Sequence, residues 1–225
     1  MNVKKWLRGL CAAVLCVASV GTGGAAELQK VPTAWMGAQE TFPIWYAKQK
    51  GWDKEVGLDV ELLYFSSGMD ALSTLPAKTW VFGGMGAIPA LMGALRHDTY
   101  VIANCNDEAM VNAVMVRPDS PIMQTKGYNK SYPNVYGTPE SVKGKTVLCT
   151  TVSSAHFALS SWLKALGLTE KDVTIKNMDQ ASALAAFEYG IGDIVTLCAP
   201  LTYVRAPRGS KVASTPHDCY RGLPI

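Results

Sequence analysis

Short apolar runs of strand length alternate with segments of helical period along this chain, and that alternation constrains its fold more than any other feature. The strand-like runs fall at residues 31–35, 60–65, 79–83, 100–103, 113–116, 145–149, 173–177 and 193–198, with a last short K-V-A at 211–213. Helical patterns separate them. In T-F-P-I-W-Y-A-K-Q-K-G, Thr41 stands as N-cap, Pro43 in the first turn and Gly51 as the stop. Gly167 and Gly190 end two later helices in the same way. Strands alternating with helices predict an α/β protein with mixed, largely parallel sheets flanked by helices. The runs form two series, one before and one after residues 104–112, which predicts two lobes. Residues 123–143, with Tyr128, Tyr132 and Tyr136, carry no period and are expected as a long surface loop.

In parallel sheets, ligands bind where strands hand over to helices. The polar and glycine clusters of this chain sit at such turns: 39–42, 66–68, 83–86, 150–156, 177–180 and 198–200. The fourth of these follows the strand K-T-V-L-C and holds Thr150, Thr151, Ser153, Ser154 and His156. A helix cap needs one hydroxyl, and four are present. The surplus, together with the free amides of a helix N-terminus, suits a ligand oxyanion. Other chemistries lack their parts. No G-x-S-x-G elbow surrounds Ser153 or Ser154. No G-x-x-x-x-G-K-[ST] loop occurs, and G-G-M-G-A-I-P carries Pro89 where a dinucleotide fingerprint needs glycine. Three histidines, His97, His156 and His217, are too scattered for a metal motif, so no metal, no cofactor and no catalytic residue is expected. The tryptophans are expected in the core, and Phe42 and Met85 sit at turns where a pocket could form.

The formal net charge of +3 comes from the first residues. Lys4, Lys5 and Arg8 lie there, and no acidic residue precedes Glu27, so residues 27–225 balance to zero. Such a chain exerts no long-range pull on nucleic acid or an anionic membrane. The basic start, the run G-L-C-A-A-V-L-C-V-A-S-V and the small residues G-T-G-G-A-A have the layout of a secretory signal peptide at 1–26, cleaved after Ala26. The expected location is therefore the periplasm or another extracytoplasmic space. There Cys105, Cys149, Cys198 and Cys219 would have three possible pairings, with Cys149 and Cys198 read as small buried hydrophobes in preference to a bridge.

The order of motifs resembles the periplasmic substrate-binding proteins of ABC importers, of the nitrate, sulfonate, taurine and bicarbonate type, and is similar also to binders of thiamine-pyrimidine precursors. The resemblance rests on F-P-I-W-Y-A-K-Q-K-G-W-D-K-E-V-G-L-D-V-E-L-L-Y-F-S-S-G, G-G-M-G-A-I-P-A-L, V-K-G-K-T-V-L-C-T-T-V-S-S-A-H-F-A-L and N-M-D-Q-A-S-A-L-A-A-F-E-Y-G-I-G-D. It implies a two-lobed type II periplasmic binding fold. A first lobe at 27–104, a hinge crossing at 105–112, a second lobe at 113–215 and the start of a return crossing at 216–225 are expected. It implies a monomer that binds a small, anionic solute in its cleft, closes on it and docks on a membrane permease, without nucleic acid and without catalysis. The implied contacts are Thr41, Ser67, Gly86, Ser153 and Ser154, with Gln39, Phe42, His156, Asp179 and Cys198 beside them. The chain departs from the pattern in A-K-T-W-V-F, which replaces an acidic element, and it stops at C-Y-R-G-L-P-I where family members continue. A C-terminally truncated chain with an incomplete first lobe is therefore expected. The alternatives are an enzyme or pyrimidine-precursor binder of thiamine metabolism on the same fold, or a truncated lobe without transport function.

Overall fold

The computed structural model describes residues 27–205 and 209–219. The expected signal peptide at 1–26 lies outside the described residues. In chain order the strands and helices are β1 (Gln29–Trp35), α1 (Phe42–Lys50), α2 (Trp52–Glu55), β2 (Leu58–Tyr64), α3 (Gly68–Ser73), β3 (Phe82–Gly83) and α4 (Ala87–His97). There follow β4 (Asn112–Val116), α5 (Pro139–Val142), β5 (Thr146–Cys149), α6 (Ser154–Ala165), β6 (Thr174–Asn177), α7 (Gln180–Glu188), β7 (Ile194–Cys198), α8 (Leu201–Arg205), β8 (Lys211–Ser214) and α9 (Pro216–Cys219).

They build two sheets. The first has the order β2-β1-β3 and is wholly parallel. The second has the order β6-β5-β7-β4-β8, in which β5 runs parallel to β6 and β7 while β4 runs antiparallel to β7 and β8. This is the two-sheet α/β architecture expected from the alternation, with mixed, largely parallel sheets flanked by helices.

The second sheet holds most of the core. All five residues of β4 are buried, and they alternate between faces as a pleated strand must. Val114 and Val116 join Trp162, Leu159 and Leu163 of α6 on one face. Ala113 and Met115 join Phe187 and Ala183 of α7 on the other. The indole of Trp162 is fully buried and its Nε1 donates to the carbonyl of Tyr136 at 2.9 Å. That bond and buried Val135 tie the 123–143 segment down over the core. The segment is therefore partly a cover for α6 and not only a solvated loop. Its aperiodic sequence hid this, because single anchoring side chains leave no repeat.

The first sheet has a smaller core of Ala34, Ala71 and Trp80, with Leu63, Phe65, Leu75 and Met85 against it. Two expectations change here. The run at 100–103 forms no strand, and Tyr100, Val101 and Ile102 are exposed, since no neighbouring strand among the described residues offers them a hydrogen-bonding edge. Trp45 and Trp52 are also outside the core. With Phe42 and Tyr46 they form an exposed aromatic group on α1 and α2, in which Phe42 stacks on Tyr46, Trp45 tilts against Phe42 and Trp52 meets Tyr46 edge-on. The glycines at the end of β3 are required by close approach. A Cβ on Gly83 would strike the backbone of Ala34, and one on Gly84 the ring of Trp35. This approach delivers the following turn, with Gly86 as N-cap of α4, to the space between the two sheets.

Candidate functional site

The turns after the strands of both sheets line one open cleft, with about 710 Å³ of empty space that is continuous with solvent. From the first sheet come residues 36–40 after β1, 66–68 after β2, and Gly86 with Pro89 at the start of α4. From the second come Thr150, Ser153 and Ser154 after β5, Gln180 at the start of α7, and Cys198 with Ala199 after β7. The crossing between the sheets adds Asn106, Glu108, Val111 and Asn112.

The hydroxyl-rich turn after β5 divides its work. Ser153 caps α6: its Oγ accepts from the amide of His156 at 3.2 Å and donates to the carbonyl of Thr150 at 2.6 Å. Thr150 donates its hydroxyl to the carbonyl of Met178 at 2.8 Å and accepts from Gln180 Nε2 at 3.0 Å. Gln180 Oε1 in turn accepts from the amide of Cys198 at 2.8 Å. One side-chain amide thus ties the turns after β5 and β7 together.

Ser154 does something different. Its Oγ donates to Glu108 Oε2 at 2.7 Å, and the same oxygen accepts from the amide of Ala87 at 3.0 Å. A carboxylate from the crossing therefore sits between the N-termini of α4 and α6, one from each sheet. Helix N-termini favour negative charge through their unpaired amides and aligned dipoles. Gly86 makes the approach possible, because a Cβ there would fall 2.5 Å from Ser154 Oγ and 3.1 Å from Glu108 Oε1.

Burial in the cleft pushes the Glu40 carboxyl above the usual carboxylate range, and the charge of Glu108 adds to the push. The Cys198 thiol is raised to about 12, chiefly by burial and then by the charges of Glu108 and Glu40, against a bond from the Ala155 amide. Cys149 is raised to about 11 by burial, against a hydrogen bond with Thr196. Both thiols are thus protonated and poor nucleophiles near neutral pH. The four described cysteines, Cys105, Cys149, Cys198 and Cys219, are all free. Among the described residues, no group of three or more His, Cys, Asp or Glu could hold a metal ion, and no helix is long and apolar enough to cross a membrane.

Of the residues expected at the site, Gln39, Ser67, Gly86, Ser153, Ser154 and Cys198 line the cleft. The others stand elsewhere. Thr41 is buried and donates to the carbonyl of Met36 at 2.6 Å, which shapes the turn from behind. Phe42 belongs to the exposed aromatic group. His156 accepts from the amide of Val152 through Nδ1, while Nε2 lies 3.1 Å from Glu170. Asp179 caps α7, accepting from the amides of Ala181 and Ser182 and from the Ser182 hydroxyl. The sequence reading missed Glu40, Glu108, Asn112 and Gln180. Glu40 and Gln180 sit in turns already singled out, one residue from the side chains chosen. Glu108 and Asn112 lie in the crossing, where the polar run N-C-N-D-E was the available signal.

The "NMT1/THI5 like" family model matches residues 38–213. A curated ABC transporter periplasmic binding protein from Brachyspira hyodysenteriae is 28% identical over 198 residues, covering 88% of this chain and 57% of its own length. An aliphatic sulfonates-binding protein from Bacillus subtilis is also 28% identical, over 218 residues, covering 93% of this chain and 61% of its own length. The chain thus spans about three fifths of the curated relatives it matches. Among solved structures, the periplasmic aliphatic sulphonate binding protein SsuA from Escherichia coli superposes with a TM-score of 0.66 at 21% identity, over 84% of this chain and 61% of its own. The periplasmic nitrate-binding protein NrtA from Synechocystis gives 0.61 at 16%, over 84% and 52%.

Proposed function

We propose, for a chain that belongs to the NMT1/THI5-like family, an extracytoplasmic solute-binding role: it holds a small solute between its two lobes and presents it to the permease of an ABC importer. The observation that carries this reading is the cleft itself, lined by strand-end turns of both sheets and by the crossing between them. In this reading residues 27–104 and 113–215 are the lobes and 105–112 the hinge. A solute that touches both lobes stabilises the closed arrangement over the open one, by as much as it binds the two differently.

The names of the relatives point to sulfonates and nitrate. Ser66 and Ser67 on the cleft wall suit the oxygens of such an acid group. Ser67 Oγ accepts from the amide of Asp70 at 3.1 Å and keeps its own hydrogen to donate. Binding without catalysis is favoured over an enzyme because the one thiol in the cleft is protonated and Ser153 and Ser154 have no imidazole as partner. A monomer suffices, since one chain supplies both walls.

A thermal-shift screen of the full chain against nitrate, alkanesulfonates, aminoalkanesulfonates, carboxylates and pyrimidines tests the reading. A bound solute at about 100 times its Kd adds about 2.7 kcal/mol of stability. Selective stabilisation by one class is expected. A folded chain stabilised by none of them would refute the role.

A further inference from the structure

We propose that His156 is a positioning residue for the cleft wall: its neutral imidazole holds the turn after β5 in a strained shape, and protonation of the ring releases that turn and weakens the hold on the solute. This inference rests on the solute-binding reading above and adds a control by acidity to the same site.

Three observations carry it. The first is strain in the turn. Val152 has φ 54°, in the left-handed region. The other described residues besides glycine with positive φ, Lys78 and Asp98, close helical segments, where that conformation is common. Val152 closes none, and its β-branched side chain makes the region costly. Such a conformation persists only where its surroundings impose it, and it clusters at functional sites. The Val152 side chain is partly exposed, so its burial offsets little of that cost. It stands between Thr150 and Ser153, both on the cleft wall.

The second is what imposes the shape. Thr150 donates its hydroxyl to the carbonyl of Met178, Asn177 Oδ1 accepts from the amide of Thr151 at 2.9 Å, and His156 Nδ1 accepts from the amide of Val152 at 3.1 Å. Only the last of these can be undone by a proton. It needs a bare Nδ1, so the ring that makes it is neutral, with its hydrogen on Nε2. A proton on Nδ1 would set two donors face to face.

The third is a carboxylate placed to favour the charged ring. Nε2 is buried and lies 3.1 Å from Glu170 Oε1, without the alignment of a hydrogen bond. Ser160 Oγ donates to the same oxygen at 2.6 Å and holds it beside the ring. The groups around the imidazole are thus Val152 on the turn, Ser160 on α6 and Glu170 on the 3-10 turn at Glu170–Asp172, and Glu170 is the titratable one among them. The imidazole therefore has two partners and serves one at a time. Neutral, it clamps the turn; charged, it is drawn to the carboxylate. Without its acceptor Val152 relaxes to an ordinary φ, and Thr150 and Ser153 lose their places on the wall.

The test is nitrogen-15 NMR of the full chain between about pH 8 and pH 5, the range in which an imidazole changes charge. At the upper end the His156 nitrogen shifts should show a bare Nδ1 and a protonated Nε2. On acidification the protection of the Val152 amide from hydrogen exchange should fall at least about tenfold, the size of one hydrogen bond. His156→Asn keeps an acceptor oxygen near the place of Nδ1 and removes the titration, so there the protection should stay level. Glu170→Gln should move the loss to lower pH, since the charged ring would lack its carboxylate. Calorimetric titration with ethanesulfonate and with nitrate should show affinity falling over the same range in the unaltered chain and staying level in His156→Asn. A proton on Nδ1 at the upper end overturns the inference from the unaltered chain alone, whatever the variants do. Equal pH dependence in His156→Asn overturns it as well. If Val152 titrates while affinity does not, the inference falls, His156 is only a helix cap, and the solute-binding reading stands. If neither anion binds a folded chain at either pH, that reading fails for these anions and the coupling to affinity fails with it, while the nitrogen shifts judge the bond between His156 and Val152 by themselves.

Discussion

Gly86→Ala tests the way the two lobes meet. The backbone there has φ −59°, which alanine adopts without strain, so any effect must come from contact and capping. The new methyl would lie 2.5 Å from Ser154 Oγ, far inside van der Waals contact. The hydroxyl can escape only by rotating away, which breaks its 2.7 Å bond to Glu108. A hydrogen bond to a charged group contributes about 1.5–3 kcal/mol, and partial exposure places this one near the lower end, about 1.5 kcal/mol. Losing glycine at the N-cap of α4 costs a further ~0.5–1 kcal/mol. The substitution should therefore destabilise the chain by about 2–2.5 kcal/mol in urea unfolding followed by tryptophan fluorescence. In a Ser154→Ala background the hydroxyl is gone, and the Ser154 Cβ stands at an ordinary 3.5 Å. There only the capping cost should remain. The four chains form a double-mutant cycle with an expected coupling of about 1.5 kcal/mol. Equal costs in both backgrounds would refute the contact between Gly86, Ser154 and Glu108 as the link between lobes.

Two further outcomes follow from side chains whose titration the fold shifts. Burial keeps Cys149 protonated, so at pH 8 a thiol reagent should modify exposed Cys105 quickly and Cys149 only after unfolding, as read by peptide mass spectrometry. The Asp179 carboxyl is held below its ordinary range by the Ser182 hydroxyl and the amides of Ser182 and Ala181. Its stabilising effect is fully present above the unfolded value of about 3.9 and is lost as pH falls from there through the lower folded value. Asp179→Asn should accordingly lower the unfolding midpoint at pH 6 and narrow its difference from the unaltered chain toward pH 2. A constant difference across that range would contradict the assigned cap.

The fold was legible because its signals are periodic. The apolar run at 113–116 marked a strand, which the structure buries on both faces as β4, and the segment of helical period after the hydroxyl-rich turn became α6, whose buried stripe is Ala158, Leu159, Trp162 and Leu163. Signals without a period misled. The run at 100–103 has strand composition but no partner strand among the described residues, and Trp45 and Trp52 are as aromatic as Trp162 yet lie exposed, against Phe42 and Tyr46 respectively. The location of the site was likewise legible, since all but the crossing residues come from turns that the alternation placed at strand ends.

Its chemistry was less so. A run of hydroxyls does not reveal which partner each will find. Ser153 became the cap and Thr150 a brace to Met178, and Ser154 turned to a carboxylate 46 residues away. That last pairing depends on how the crossing folds back between the sheets, which no local pattern encodes.

The most direct test of the whole account is a crystal structure of the chain grown with the solute that stabilises it most in the thermal-shift screen. The account predicts the solute between the two sheets, touching strand-end turns of both, with acid oxygens toward Ser66 and Ser67. A solute bound outside the cleft, or a cleft left empty at saturating concentration, would contradict it.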